Sequence, residues 1–240
     1  GQSVPFADWQ LAIPAISTDM VYGLQYSGPW GDNKACSGKL QPEAKEEAGY
    51  FVAANHYWSG DRLHIPGVID EPLLEPTSTQ SGTRTIKNWK VSCLVAPSGI
   101  EGFSVTSPQG ITYEFTQRKL IKSAVPLQRP GEEGTYYELD RYYAFMQVTR
   151  ITDRFQNWVK YRYNNEGNLD QISANDGRVI DIQYGVGLVE AYKNYVSSIT
   201  ANGQIWKYEY RTKGGGNQLN KVIQPDSRYW EYDLQTAGGS

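Results

Sequence analysis

Gly203-Gln204-Ile205-Trp206-Lys207-Tyr208-Glu209-Tyr210 places aromatic side chains at Trp206, Tyr208 and Tyr210 and charged ones at Lys207 and Glu209 between them. Three similar segments occupy the same half of the chain. They are Gln156-Asn157-Trp158-Val159-Lys160-Tyr161-Arg162-Tyr163, Gly177-Arg178-Val179-Ile180-Asp181-Ile182-Gln183-Tyr184, and Ser227-Arg228-Tyr229-Trp230-Glu231-Tyr232-Asp233-Leu234. In chain order their first residues lie 21, 26 and 24 positions apart. The third, fifth and seventh positions after each start hold Val159, Tyr161, Tyr163; Ile180, Ile182, Tyr184; Trp206, Tyr208, Tyr210; and Trp230, Tyr232, Leu234.

All of these positions are apolar or aromatic, and a spacing of two puts each trio on one face of a strand. A helix would spread the same trio over about 400° of rotation. Lys160, Arg162, Asp181, Gln183, Lys207, Glu209, Glu231 and Asp233 fall between them and face water, because a dry core would leave them without partners. Asn175-Asp176-Gly177, Ala201-Asn202-Gly203 and Pro225-Asp226-Ser227 supply tight-turn chemistry before the strands. Upstream of each turn stands a short apolar stub: Val148 and Ile151, Leu169 and Ile172, Val196 and Ile199, Leu219 and Val222. Each repeat therefore reads as strand, turn, strand.

The chain before residue 140 is less regular. Short strand candidates such as Thr85 to Val95, Phe103 to Thr106 and Ile111 to Phe115 are separated by Gly, Pro and Ser stretches, and Pro42 to Ala48 is the best helix candidate. The expected fold is all-β: an antiparallel meander of stacked hairpin repeats forming a curved sheet over 141–240, with an irregular β-rich region over 1–140 packed on it or capping it.

Composition agrees. The chain has 18 Tyr and 7 Trp but only 6 Phe and 2 Met, so much of its apolar area carries a polar tip suited to half-wet sheets. A formal charge of −3 with no basic block argues against nucleic acid or a polybasic membrane surface. No apolar run is long enough for a transmembrane helix. Cys36 and Cys93 either pair, which would indicate an oxidising compartment, or stand as separate thiols with Cys93 buried by the alternation of its strand.

The repeats resemble the RHS/YD-repeat family. The match is clearest from Val148 to Ile172, through Ile151-Thr152-Asp153, Tyr161-Arg162-Tyr163-Asn164 and Gly167-Asn168-Leu169. Asn175 to Tyr184, Asn202 to Tyr210 and Asp226 to Asp233 continue it, and Ser107-Pro108-Gln109-Gly110 followed by Tyr113 and Phe115 is similar to an element that precedes the repeats in that family. The resemblance implies a surface, secreted or toxin-delivery protein whose repeats spiral into a β shell around a passenger. Its expected location is secreted or in the cell envelope or periplasm, and its expected partners are further repeats or a passenger domain of a larger parent protein.

No catalytic residues, cofactor or metal are expected. His56 and His64 could join Cys36, Asp61, Asp70 or Glu71, but without a recognised ligand spacing. Asp61 with Asp70 or Glu71 is the nearest approach to a glycosidase carboxylate pair. The preferred reading is a structural repeat module acting as shell, scaffold or adhesive surface. The alternative is a carbohydrate-binding module using Trp30, Tyr57, Trp58, Trp158 and Tyr229 as exposed aromatics, with a glycan or protein as ligand.

Overall fold

A computed structural model describes residues 6, 11–22, 30, 34–37, 44–45, 51–52, 57–76, 82–96, 99–123, 125–130 and 136–232. Every ladder among them is antiparallel, and the helical content is a single 3₁₀ turn at Glu190–Tyr192. The chain forms two compact units that divide between Trp158 and Val159, so the change of sequence pattern near 140 lies inside one continuous strand.

The first unit contains β1 (Ala15–Tyr22), β2 (Ala44–Lys45), β3 (Phe51–Val52), β4 (Arg62–Ile65), β5 (Ile69–Pro72), β6 (Lys90–Val95), β7 (Glu101–Thr106), β8 (Thr112–Lys122), β9 (Leu127–Pro130) and β10 (Tyr136–Thr152). Its ladders run β6-β7-β8-β10-β1-β4-β5, with β9 also on β10 and with β2 and β3 as a separate pair. The helix expected over Pro42 to Ala48 is thus replaced at Ala44–Lys45 by pairing with Phe51–Val52. The rest of that stretch lies outside the described residues.

Seventeen residues long, β10 is the spine of this unit, bonded on one side to β8 and β9 and on the other to β1. Ala144, Met146 and Val148 alternate along it and are fully buried, while Tyr143, Phe145 and Gln147 are half-buried. Register carries the buried row across the sheet, since Met146 faces Ile16 and Ile16 faces Leu63. Trp30 and Phe103 pack with ring centroids 6.0 Å apart in the same unit.

The second unit continues through β11 (Trp158–Tyr163), β12 (Leu169–Ala174), β13 (Val179–Tyr184), β14 (Val196–Ala201), β15 (Gln204–Lys213), β16 (Gly216–Ile223) and β17 (Tyr229–Glu231), and each of its strands pairs with the next. This is the expected meander. It also takes in Phe6, whose ring lies 4.9 Å from that of Tyr208.

One turn recurs in both units. At 107–111, 153–157, 164–168, 174–178 and 224–228 the first residue's N–H donates to the fifth residue's carbonyl, and the fourth residue's N–H donates back to the first residue's carbonyl. The same bonds close 85–89 and 96–100. The fourth residue always has positive φ: Asn88, Gly99, Gly110, Gln156, Gly167, Gly177 and Ser227. This is the three-residue hairpin loop that ends in a left-handed residue. Side chains reinforce it, as Asp153 Oδ1 accepts from Phe155 and Asn157 N–H and Asn164 Oδ1 accepts from Glu166 and Asn168 N–H. Two shorter loops, Asn202-Gly203 and Gly214-Gly215, carry positive φ at both central residues as two-residue hairpins need.

Candidate functional site

The apolar trios and the apolar stubs of the repeats meet across the ladders. Tyr161 faces Ile172, Ile182 faces Ile199, and Tyr208 faces Val222; farther along, Tyr163 faces Leu169, Tyr184 faces Val196, and Tyr210 faces Leu219. The trio positions are two residues apart but the stub positions are three apart, which in a regular ladder would turn one stub residue to the wrong face. A bulge at the same step of each hairpin absorbs the extra residue, which is Asp170, Ser197 or Asn220. Leu169, Val196 and Leu219 are thereby buried beside the terminal tyrosines.

Those tyrosines also bind the preceding hairpin. Tyr184 Oη donates to the Leu169 carbonyl oxygen at 2.9 Å, and Tyr210 Oη donates to the Val196 carbonyl oxygen at 2.7 Å. In each case the acceptor belongs to the residue that faces the previous hairpin's own terminal tyrosine. Burial pushes the Tyr184 hydroxyl far above its ordinary range, so it remains a donor at any ordinary pH. Burial does the same to Tyr163, with the neighbouring Tyr161 and Tyr184 adding to it.

The opposite face is wired by polar pairs. Arg162 Nε donates to Asp170 Oδ1 at 2.9 Å, Gln171 Nε2 to Asp181 Oδ1 at 2.7 Å, and Ser198 Oγ to Gln183 Oε1 at 3.1 Å. The long spacing of 26 residues between the second and third repeats is a folded insertion. Gly185 closes it by donating to the Tyr195 carbonyl, and Tyr192, Tyr195 and Tyr210 cluster with centroids 5.0–6.3 Å apart.

Burial along the trios is graded. Tyr210 and Ile182 are buried, and Val159, Tyr161, Tyr163, Tyr184, Trp206, Tyr208 and Tyr232 are half-buried. Ile180 is 36% exposed and Trp230 is 53% exposed, against the expectation of a uniformly dry layer. Both stand just after a turn, which closes at Arg178 for Ile180 and at Arg228 for Trp230. Leu234 lies outside the described residues.

The expected aromatic platform is not assembled. Trp30 is 1% exposed and Tyr57 is 7% exposed, so both are core residues, Trp30 against Phe103 and Tyr57 against Val21. Each sits near a turn in sequence, but long-range packing covers it. Trp58 is half-buried against the Val21 and Tyr57 cluster, with Nε1 donating to Thr18 Oγ1 at 2.7 Å. Trp158 is half-buried under the Arg150 guanidinium, 5.4 Å from its ring centre. Tyr229 is exposed at 54%, with Lys221 Nζ 3.7 Å from its ring centre.

Cys36 and Cys93 form a disulfide across 57 residues, and the Cys36 and Ser37 N–H groups both donate to Glu101 Oε2. Cys93 itself is exposed, since β6 turns that side chain outward. The carboxylates singled out in sequence have separate partners: Asp70 with Arg62 and His64, Glu71 with Lys87, and Asp61 with Trp30. Burial opposes the charge of Glu71, but hydrogen bonds from Lys87 and Thr85 and the Lys87 charge hold its carboxyl below the usual range. Among the described residues no group of three or more His, Cys, Asp or Glu could hold a metal ion, and no helix is long and apolar enough to cross a membrane. His56 lies outside them.

No family model matches the chain, and no curated protein matches it. Among solved structures it is similar to the N-terminal domain of effector protein SpvB from Salmonella typhimurium strain LT2, at 11% identity and a TM-score of 0.45, over 97% of this chain and 91% of that chain.

Proposed function

We propose that the chain is a structural repeat module of the RHS/YD kind, serving an exported or toxin-delivery protein as a length of β wall, shell or scaffold. The observation that carries this reading is the repeated clasp of Tyr184 on Leu169 and Tyr210 on Val196, each set by a bulge at the same step of its hairpin. A hairpin fixed to its predecessor by the same bond each time is a unit that can be added serially, and its stability is then shared between neighbours. The polar wiring of the other face supports the same role, because its Arg, Asp, Gln and Ser groups are engaged across strands. The Cys36–Cys93 disulfide supports an oxidising compartment.

Serial addition is tested by duplication. A second copy of residues 185–210 is inserted after Tyr210, which occupies the repeat position of Tyr184. The module reading expects a folded protein with one unfolding transition at no lower denaturant concentration than the parent. An inserted copy that proteases digest while the parent remains intact would overturn it. The carbohydrate-binding alternative loses Trp30 and Tyr57 to the core, and nothing in the arrangement of Trp58, Trp158 and Tyr229 favours it.

A further inference from the structure

Asp61 stands outside the repeat architecture, in the first unit, where three segments converge on it, two of them on its carboxyl group. Trp30 Nε1 approaches Oδ2 at 3.5 Å, and the Thr18 hydroxyl of β1 hydrogen-bonds the same carboxyl while accepting from Trp58 Nε1 at 2.7 Å. The Asp61 backbone carbonyl accepts from Leu73 N–H at 2.8 Å, tying the far end of the β4–β5 hairpin to the same point. Oδ1 is buried and has no hydrogen-bond partner among the described residues.

Among the described residues the charges around this cluster do not neutralise it. Glu75 is the ionisable group that acts on Asp61, and its charge is of the same sign. Arg62 and His64 are turned to Asp70 on the exposed side of β4, Glu71 is held by Lys87, and Asp19 of β1 is held by Arg141. Arg118 of β8 donates to the Trp30 carbonyl, at 3.4 Å. An ionised carboxylate here therefore has two donors, one of them distant, and a buried oxygen without a partner among the described residues. A neutral carboxyl group fits the same site without that cost.

We propose that Asp61 is a proton-operated latch, its carboxylate taking up one proton in mildly acidic surroundings and thereby stabilising the folded unit by removing a buried charge from the point where Trp30 and β1 meet the start of β4. Burial pushes the carboxyl up to about 6 from 3.8, against the pull of its Thr18 and Trp30 hydrogen bonds and with help from Glu75. The folded state binds the proton more tightly than the unfolded chain does. The stability contributed is thus fully present below pH 3.8 and is lost as the pH rises through about 6. Between pH 5 and pH 8 this amounts to roughly a tenfold fall in the folding equilibrium constant.

The test is urea unfolding followed by tryptophan fluorescence at pH 5 and pH 8, on the full chain and on Asp61→Asn. The parent is expected to show about ten times more pH dependence in its folding constant than the variant. Equal dependence in the two would overturn the proposal. Carbon-13 NMR of the aspartate carboxyls in the folded parent gives a second reading that needs no variant: one carboxyl titrating near pH 6 supports the latch, and every aspartate titrating below pH 5 contradicts it.

Discussion

Tyr184 donates its hydroxyl hydrogen to the carbonyl of Leu169, and Leu169 is the residue that faces Tyr163 across the preceding hairpin. Tyr210 stands in the same relation to Val196, which faces Tyr184. The terminal tyrosine of each of these repeats therefore does two things at once: it fills the dry layer with its ring and fixes its own hairpin to the preceding one with its hydroxyl. Phenylalanine would do only the first.

Tyr210→Phe is accordingly expected to cost about 1–2 kcal/mol, because it leaves a buried carbonyl acceptor unsatisfied. Tyr184→Phe should cost less, since Tyr184 is half-buried and water can reach its acceptor more easily. Urea unfolding midpoints of the two variants measure both the size and the order.

The recurrent turn makes a prediction of opposite sign at two equivalent positions. Gly177 has φ +87 and open space around the position of a Cβ, so Gly177→Ala meets only backbone strain and should destabilise by about 1 kcal/mol. Ser227 occupies the same left-handed position with φ +69, and Ser227→Gly should stabilise by a few tenths of a kcal/mol. Thermal unfolding of the pair checks the reversal.

Gly102 in β7 is constrained by space instead. A Cβ there would lie 2.2 Å from the Phe115 carbonyl oxygen, a backbone atom of the adjoining strand β8. Gly102→Ala should therefore cost about 2–3 kcal/mol, in the range of other overpacked sites. Amide exchange over 101–106 and 112–116 should accelerate in the variant.

The disulfide closes a 57-residue loop, for which the chain-entropy account gives about 4 kcal/mol. Replacing both Cys36 and Cys93 by Ser should lower the stability of the first unit by an amount of that order. Glu101 would still hold the Cys36 and Ser37 backbone, which keeps the loss from being larger. Denaturation with and without reductant gives the comparison.

The repeat strands were legible because their chemistry alternates with the period of the backbone: Lys160, Arg162, Lys207 and Glu209 are exposed where Tyr161, Tyr208 and Tyr210 are covered. The bulges leave a fainter mark, the spacing of three between Leu169 and Ile172 against two between Tyr161 and Tyr163. The turn at 85–89 is hidden for a different reason: Asn88 takes the left-handed position without being glycine, so Thr85 to Val95 reads as one strand although β6 begins at Lys90. Trp30 reads in sequence as a surface ring because its burial depends on Phe103 and on Arg118, 88 residues away, which no local pattern encodes.

If Tyr184 and Tyr210 are equivalent rungs, removal of residues 185–210 should join Tyr184 directly to Arg211 and leave Tyr184 facing Leu219, with its bond to Leu169 unchanged. The decisive measurement is the unfolding transition of this shortened chain. The account predicts a folded protein with a single cooperative transition and the amide protection of 159–174 retained. A chain that aggregates or lacks a transition, while the parent unfolds cooperatively under the same conditions, would contradict the claim that these hairpins are interchangeable units of a wall.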